Sequence, residues 1–365
     1  MDNSLTNDTT ETGREPSAPV RVKFVGRVPH NVAPRIWQRQ LPGHGPDYHG
    51  CRFLFDLDEE DYDWLVVYDD LPTIPGERFS TRTMELACPP EHTILLTMEP
   101  STIKLYGSAF LSQFGVVISS QEPEVIRHRG HVHSQAGLRW YYGLGSTDMM
   151  NYDELSSTPP LDKTRVISTV CSSKRQRHTL HNLRWDFTQK LARLIPELEV
   201  FGHGVRAMDD KAEALGPYRY HVAVENFEGP HHWTEKLADS FLACTLPFYF
   251  GAPNAGDYFP EASFIPIDIH DAEGAAEIIR GAIENNEWEK RLPAIMEARR
   301  RVLEEHNLFA LVARHIRRLD ALAASAPGGT LRSRRAARKA NPLAALPDFT
   351  TMALRKAKAI FKPMA

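Results

Sequence analysis

The residues best suited to chemistry lie together in the second half of the chain. An apolar run ends in Glu225 and Asn226, and Thr234 then stands where a helix N-cap is expected, followed by Glu235 and Lys236. A helix N-terminus offers amide N–H groups and the positive end of the helix dipole, which together favour phosphate. A lysine is disfavoured there, so a bound anion would account for Lys236, and the Glu235 carboxylate suits a ribose diol. Alternatively, Lys236 is a solvated surface lysine and Glu235 only compensates the dipole.

Two other motifs have the spacing of metal ligands. D-x-D occurs twice in 56–63, inside an acidic run that precedes an apolar strand, and it is expected to form a solvated loop. H-x-x-H-x-H spans 128–133, but Arg127 and Arg129 would repel a cation, so a surface or acceptor-binding loop is favoured. We therefore predict no metal site. The dinucleotide and P-loop glycine patterns are absent from the sequence.

Short apolar, β-branched runs predict the strands that position these residues. Helical spacing of apolar residues predicts a helix over 185–198, another after Thr234, and two or three more between 271 and 322. The strands are predicted at 20–25, 64–68, 93–97, 115–118, 165–170, 198–201, 220–224, 246–250 and 264–267.

This alternation of strands and helices, in two blocks, predicts two α/β domains with parallel sheets that face each other across a cleft. Ligands bind in such clefts, at the carboxyl ends of the strands. The loop-like stretch 143–163 is the expected boundary. The predicted parts are a disordered lead-in at 1–19, a first α/β domain at 20–155, a second α/β domain with the candidate phosphate site at 160–325 and a basic tail at 326–365.

The composition and the charge distribution favour a globular protein and exclude some classes of function. Of 365 residues, 42% are hydrophobic and 25% are charged, as in globular proteins. Residues 331–365 carry nine basic residues and one acidic residue, a net charge of +8, so the rest of the chain has −12 against a total of −4. An acidic body is a poor nucleic-acid binder, and no such partner is expected. The four cysteines lie far apart and are expected to be thiols in a reducing compartment.

The spacing E-N-x8-T-E-K, followed by P-x-x-x-G-A-P and F-I-x-x-D, resembles the C-terminal signature of the α-1,3/4-fucosyltransferases, glycosyltransferase family 10. In this chain the motif is carried by Glu225, Asn226, Thr234, Glu235, Lys236, Pro247, Gly251, Ala252, Pro253, Phe264, Ile265 and Asp268. The resemblance implies a GT-B fold with two Rossmann-like domains. It also implies an inverting enzyme that moves L-fucose from GDP-fucose to a hydroxyl of an acceptor glycan, without a cofactor.

The resemblance also implies roles for single residues. Lys236 would bind the pyrophosphate, Glu235 the ribose, and Asn226 would line the same site. The family's L-R-x6-L helix matches at Leu183–Leu191, which makes Arg184 the second pyrophosphate partner, although Arg175, Arg177 and Arg193 are close in sequence. Where bacterial relatives often have an aromatic hydroxyl, this chain has His232, which is expected to contact the nucleotide or to be solvated.

A base must remove the proton of the acceptor hydroxyl, and Glu99 is the predicted catalytic residue. It follows the apolar run 93–97 and precedes Pro100, so it should point into the cleft. The element E-P-S at this point resembles the family's E-S-P. Glu225 also follows a buried strand, but its position before Asn226 favours a structural or donor-side role.

The tail is a separate feature. Its apolar residues Phe349, Met352 and Phe361 can share a helical face opposite Lys358 and Lys362, as in helices that lie on anionic membranes. A disordered, solubilising tail is the alternative. With no secretory signal in the sequence, a cytoplasmic enzyme at the inner membrane is expected, acting on a lipid-linked glycan or surface polysaccharide.

Two other functions stay open at this point. The chain could be a GT-B transferase that uses another nucleotide sugar, which a comparison of GDP with UDP binding would reveal. It could also be a non-catalytic nucleotide- or glycan-binding protein, which the presence of Glu99 disfavours.

Overall fold

The computed structural model describes residues 18–27, 33–173, 179–319, 325–343 and 350. Over these residues the chain forms two sheets of mainly parallel strands and one short antiparallel pair. The strands are β1 (Val20–Gly26), β2 (Asp47–Tyr48), β3 (Cys51–Leu54), β4 (Trp64–Tyr68), β5 (Thr83–Glu85), β6 (Thr93–Leu96), β7 (Val116–Ser119), β8 (His131–His133), β9 (Arg165–Val170), β10 (Leu198–Phe201), β11 (Tyr218–Val224), β12 (Leu246–Phe250), β13 (Ile265–Pro266) and β14 (Thr330–Arg332).

Helices connect most of these strands and cover both sheets. They are α1 (Ala33–Gln38), α2 (Ser108–Leu111), α3 (Tyr152–Ser157), α4 (His181–Leu194), α5 (Ala212–Leu215), α6 (Glu235–Leu242), α7 (Ala272–Glu284), α8 (Glu287–Glu304), α9 (Leu308–Leu319) and α10 (Arg334–Ala340). Short 3₁₀ turns occur at Pro42–His44, Pro90–His92, Ala255–Asp257 and Glu261–Ser263.

The first domain is built on a sheet with the strand order β2-β3-β1-β4-β6-β7-β8. Strand β2 is antiparallel to β3, and the other described pairs are parallel. Strands β4, β6 and β7 are buried along their whole length, which explains why their sequences are continuously apolar. The four strands predicted for this half of the chain are all present.

The second domain has a parallel sheet with the order β10-β9-β11-β12-β13. Phe187 and Leu191 of α4 pack with Ile279 of α7 against one face, whereas Leu237 and Phe241 of α6 pack in a cluster with residues of α8 on the other. Helices on both faces of a parallel sheet make a doubly wound domain. With the first domain across a cleft from it, the chain has the predicted GT-B fold.

Two local predictions differ from the structure. Helix α4 ends at Leu194, not at 198, because a helix is unfavourable directly before Pro196 and Ile195 is extended. The expected loop at 143–163 contains α3, whose N-terminus is closed by a capping box of Asn151 and Glu154.

The chain returns to the first domain after completing the second. Phe309 and Val312 of α9 are fully buried in the core of the first domain, together with Phe24 and Trp64. Residues 325–343, called here the C-terminal arm, follow: β14 pairs with β5, and α10 packs beside α2. The predicted domain 160–325 and tail 326–365 therefore both contribute segments to the first domain. Residues 344–349 and 351–365, with the predicted amphipathic helix, lie outside the described residues.

No helix in the described part of the chain combines the length and the apolarity that a membrane span requires. All four cysteines are buried, and none of them forms a disulfide with another described residue.

Replacing Phe309 with alanine tests whether α9 belongs to the first domain's core. Because its ring is fully buried against Phe24 and Phe53, we expect the free energy of unfolding to fall by about 3–5 kcal/mol in urea titrations. Ile278→Ala is the control, since Ile278 is 43% exposed on α7. Equal losses in both variants would contradict this packing.

Candidate active site

A buried carboxylate fixes the start of α6. Glu225 follows β11 and has no solvent exposure. Its oxygens accept hydrogen bonds from the Thr234 amide at 2.7 Å and the Thr234 hydroxyl at 2.7–2.8 Å, and Lys236 Nζ lies 3.3 Å away. Thr234 is the N-cap, as predicted, and its hydroxyl accepts from the Lys236 amide. Burial raises the pKa of Glu225, against the opposing effect of Lys236.

Gly251 is required by the same carboxylate. A Cβ at this position would lie 2.4 Å from Cγ of Glu225 and 2.5 Å from the hydroxyl of Tyr249, closer than real contacts allow. Since Gly251 directly follows β12, the glycine in the P-x-x-x-G-A-P motif lets two neighbouring strand ends approach each other. The bonds from Glu225 to Thr234 support a positioning role for it, although Glu225 also lines the cavity that contains Glu99.

Four side chains of alternating charge, Lys236, Glu235, Lys211 and Asp239, lie next to one another at the first turns of α6. Lys236 Nζ lies 3.2 Å from Glu235, Lys211 Nζ lies 3.6 Å from the same carboxylate, and Lys211 lies 3.0 Å from Asp239. Although burial raises the pKa of Glu235, Lys236 and Lys211 outweigh it and hold that pKa far below its usual range. Glu235 is therefore a permanent carboxylate, able only to accept hydrogen bonds.

Arg184 and Asn226 are brought together as predicted. Arg184 Nη1 donates to Asn226 Oδ1 at 2.8 Å, and its other terminal nitrogen donates to the carbonyl of Val170 at the end of β9. Arg184 is 8% exposed and lines a cavity of about 220 Å³ beside Asn226, Glu235 and Lys236. The alternative of an exposed helix arginine does not apply to Arg184. Arg175 and Arg177 lie outside the described residues.

This cavity is electrostatically suited to an anion. Of the described residues that line it, Arg184, Lys211 and Lys236 are cationic, and Glu235 and Asp239 are acidic. His221 also lines it, and burial followed by the charges of Lys211 and Arg184 lowers its pKa to about 3, so it is neutral at physiological pH. Among these lining residues the cations outnumber the carboxylates by one, while Glu225, behind the cavity, also pairs with Lys236. Cations beside the N-terminus of α6 favour a phosphate ligand.

Glu99 faces this group across the cleft. It follows β6 in the first domain and lines a second cavity, of about 210 Å³, together with Asn226, Glu235 and Lys236 from the second domain. Burial and the nearby Asp69 raise the pKa of Glu99. Among the described residues, none is hydrogen-bonded to its carboxylate. Glu99 thus has the place and the exposure of a base that meets a substrate hydroxyl.

The backbone around Glu99 is held by buried polar groups. The Met98 amide donates to the hydroxyl of Tyr106 at 3.0 Å, and Gln121 donates to the Glu99 carbonyl at 2.6 Å. The Tyr106 hydroxyl in turn donates to Asp69 at 2.7 Å, and Asp69 forms a buried ion pair of 2.6 Å with Lys104. These contacts fix the loop independently of any ligand.

His232 is buried and not solvated. It is 4% exposed, and its Nδ1 lies 2.9 Å from the hydroxyl of Ser120 in the first domain. Burial, followed by the charge of Lys236, lowers its pKa to about 4, so the ring is neutral at physiological pH. It lines the same cavity as Glu99 and links the two domains at this point.

Of the two metal-like motifs, only the D-x-D segment lies away from this site. The histidine motif ends beside the site, since the ring of His133 packs against that of His231, the neighbour of His232, with the centroids 4.7 Å apart. Asp63 directly precedes β4, so the D-x-D segment is at the amino end of the first sheet, and its Asp61 and Asp63 pair with Arg21. His131 and His133 lie on the edge strand β8. Among the described residues, no group of acidic, histidine or cysteine side chains has an arrangement that could hold a metal ion.

Sequence reasoning missed several side chains of this site. Lys211 and Asp239 are on different elements, and neither belongs to a motif. Asp239 is 1% exposed and also accepts from the amide of Tyr141, in the segment that joins the domains. Arg139 lines the cavity of Glu99, and its Nε is buried with no hydrogen-bond partner among the described residues. Asp239 lies one turn after Glu235 on the same side of α6, which is the one sequence signal that links it to the motif.

Residues 160–288 match the sequence model of "Glycosyltransferase family 10 (fucosyltransferase) C-term". About a third of the chain is therefore similar to the C-terminal part of family 10 proteins. The match confirms the resemblance, and it includes every predicted site residue in the second domain.

The chain is also similar to two proteins that are named as fucosyltransferases or as fucosyltransferase-like. It is 33% identical to the Alpha-(1,3)-fucosyltransferase FucT of Helicobacter pylori over 70 residues, 19% of this chain and 14% of that protein. It is 25% identical to a putative fucosyltransferase-like protein of Arabidopsis thaliana over 193 residues, 51% of this chain and 36% of that protein. The chain thus covers well under half of either relative.

Solved structures with similar folds include an α1,3-fucosyltransferase with GDP-fucose, at 14% identity and a TM-score of 0.43 over 75% of this chain and 81% of that one. Another is Anabaena Alr3699/HepE in complex with UDP, at 8% identity and a TM-score of 0.43, covering 83% of this chain and all of that one.

Replacing Lys211 tests its part in holding Glu235. We expect Lys211→Met to weaken GDP binding roughly 10-fold, the cost of losing one charge-assisted hydrogen bond, while Lys211→Arg keeps most of the affinity. Isothermal titration calorimetry measures this, and a thermal melt checks the fold. Lys290→Met is the control, since that side chain is 60% exposed. Unchanged GDP affinity in Lys211→Met would exclude the role.

The pH dependence of activity tests Glu99. A base must be deprotonated, and burial and Asp69 raise its pKa, so activity should fall with decreasing pH through a midpoint above that of a free glutamate. Asp69→Asn removes a negative charge and should move this acidic midpoint to lower pH. Asp61→Asn, on the opposite edge and 76% exposed, should leave it in place. A midpoint that is equal in all three proteins would argue against Glu99.

Proposed function

We propose that this chain transfers L-fucose from GDP-fucose to a hydroxyl of an acceptor glycan, with inversion and of the α-1,3 type. The observation that carries the proposal is the single cleft in which Glu99 faces the cations and carboxylates of the family 10 motif. The family match over 160–288 and the name of the Helicobacter pylori relative support fucose as the transferred sugar.

The donor nucleotide would occupy the cavity of the second domain. Arg184 and Lys236 would bind the two phosphates, beside the amide groups at the start of α6. Glu235, held as a carboxylate by its two lysines, would accept hydrogen bonds from the ribose hydroxyls. Asn226 and the neutral His232 would line the path from the diphosphate to the sugar, since both also line the cavity of Glu99.

The transfer requires a base for the acceptor hydroxyl and positive charge at the leaving group, and the cleft contains groups suited to both. Glu99 would take the proton of the acceptor hydroxyl as that oxygen attacks the anomeric carbon, a contribution of roughly 10²- to 10⁴-fold. Arg184 and Lys236 would stabilise the negative charge that develops on the departing GDP. Because these cations already stand at the leaving group, the proposal requires no cofactor.

The acceptor is proposed to be a lipid-linked glycan or a surface polysaccharide, modified in the cytoplasm at the inner membrane. The support is the basic and apolar pattern of the tail sequence, which is typical of helices that lie on anionic lipid.

Calorimetric titration with GDP and with UDP, in EDTA and then with Mn²⁺, tests the donor. We expect GDP to bind in EDTA more tightly than UDP, and Lys236→Ala to weaken GDP binding at least roughly 10-fold, because a charged phosphate contact is lost. A preference for UDP, or binding that needs Mn²⁺, would contradict the proposed donor.

Glu99→Gln tests the base separately. It should bind GDP like the unchanged protein but lose roughly 10²- to 10⁴-fold in fucosyl transfer, measured with radiolabelled GDP-fucose. Glu122→Gln, on a nearby loop of the same domain, is the matched control. Full activity in Glu99→Gln would mean that another group takes the proton.

A further inference from the structure

A basic aromatic surface lies on the first domain, outside both cavities. Phe79 is 41% exposed. The guanidinium carbons of Arg78, Arg27 and Arg335 lie 5.2, 5.8 and 6.0 Å from the centre of its ring. We call these four residues the Arg–Phe79 surface. Three distant parts of the sequence, including the C-terminal arm, thus place their cations around one exposed aromatic ring.

The three arginines have no carboxylate within ion-pair distance among the described residues. The acid in the same loop, Glu77, accepts hydrogen bonds from the amide and the hydroxyl of Thr81. These bonds and, more weakly, the charge of Arg335 lower the pKa of Glu77. Like charges gathered around an exposed ring cost free energy unless an anionic partner covers them.

The surroundings of this surface are apolar and basic. Ile74, in the same loop as Phe79, is 41% exposed. On α10, Lys339 is exposed one turn after Arg335. Leu343, just beyond α10, is 77% exposed. Bulky apolar side chains among cations are the combination that binds the headgroup region of an anionic bilayer, where the rings enter the interface and the cations meet lipid phosphates.

We propose that the Arg–Phe79 surface binds an anionic phospholipid bilayer. The remaining chain supports this occupant: residues 344–365 continue from the arm and contain Arg355, Lys356, Lys358 and Lys362 among apolar residues. A nucleic acid is the less suitable partner, because the body of the chain is strongly acidic.

The surface has a defined orientation relative to the cleft. Arg27 directly follows the carboxyl end of β1, and the loop with Ile74 and Phe79 follows that of β4. Glu99 follows the carboxyl end of β6, the neighbour of β4. Since these ends meet at one edge of a parallel sheet, the bilayer would lie beside the mouth of the cleft. On the proposed function, this edge is where a lipid-linked acceptor would meet Glu99.

Vesicle co-sedimentation of the full chain tests the surface. Phosphatidylcholine vesicles are compared with vesicles in which about one-third of the lipid is phosphatidylglycerol. Arg78→Gln/Arg335→Gln should weaken binding to the anionic vesicles roughly 30-fold, since each of the two cations near such a surface contributes about 1 kcal/mol. Phe79→Ala should weaken it severalfold, and added salt should weaken binding of the unchanged protein.

Lys190→Gln/Arg193→Gln is the matched control, because it removes two exposed charges from α4 of the other domain; it should bind like the unchanged protein. A tail variant, Arg355→Gln/Lys356→Gln/Lys358→Gln, separates the tail from the surface. The proposal is overturned if the unchanged protein does not bind anionic vesicles, if Phe79→Ala and the arginine variant bind normally, or if only the tail variant loses binding. GDP titration of each variant shows independently whether the donor site is intact.

Discussion

The buried Glu225 carboxylate is the constraint on which the site depends. A charge without solvent is tolerated only where partners satisfy it, and Thr234 and Lys236 are those partners. Satisfying Glu225 therefore sets the residue at which α6 begins and directs Lys236 back towards β11. Because Glu235 stands between these two partners in sequence, its carboxylate is presented to the cavity. The proposed contacts to ribose and phosphate thus depend on one structural requirement.

The same helix also sets the relation between the two domains. Asp239 accepts the amide of Tyr141 from the segment between the domains, and His232, just before the N-cap, meets Ser120 of the first domain. The loop that carries Glu99 and helix α6 are therefore positioned by short polar contacts between the domains.

Many of the strands and site residues could be predicted from the sequence. The others leave no local pattern in the sequence, for physical reasons. Strands such as β4 and β6 are buried on both faces. Their sequences are therefore continuously apolar, and this pattern predicts a buried strand. Glu235 and Lys236 follow an N-cap and stand in a spaced motif. Lys211, by contrast, belongs to no motif. Its role becomes visible only from its ion pair with Asp239, which is 28 residues away in the sequence. Short edge strands such as β8, whose three residues are all half-buried, have no periodic signal.

The return of α9 and the C-terminal arm to the first domain has a consequence for biosynthesis. Strands of the first domain leave the ribosome before the second domain is made, but Phe309 and Leu331, both fully buried in the first domain, are made after it. At a translation rate of about 5–20 residues per second, the first sheet is made roughly tens of seconds before the residues that complete its core. The first domain cannot complete its fold before the second has been synthesised, and a chain that stops short of α9 leaves apolar surface exposed to chaperones and proteases.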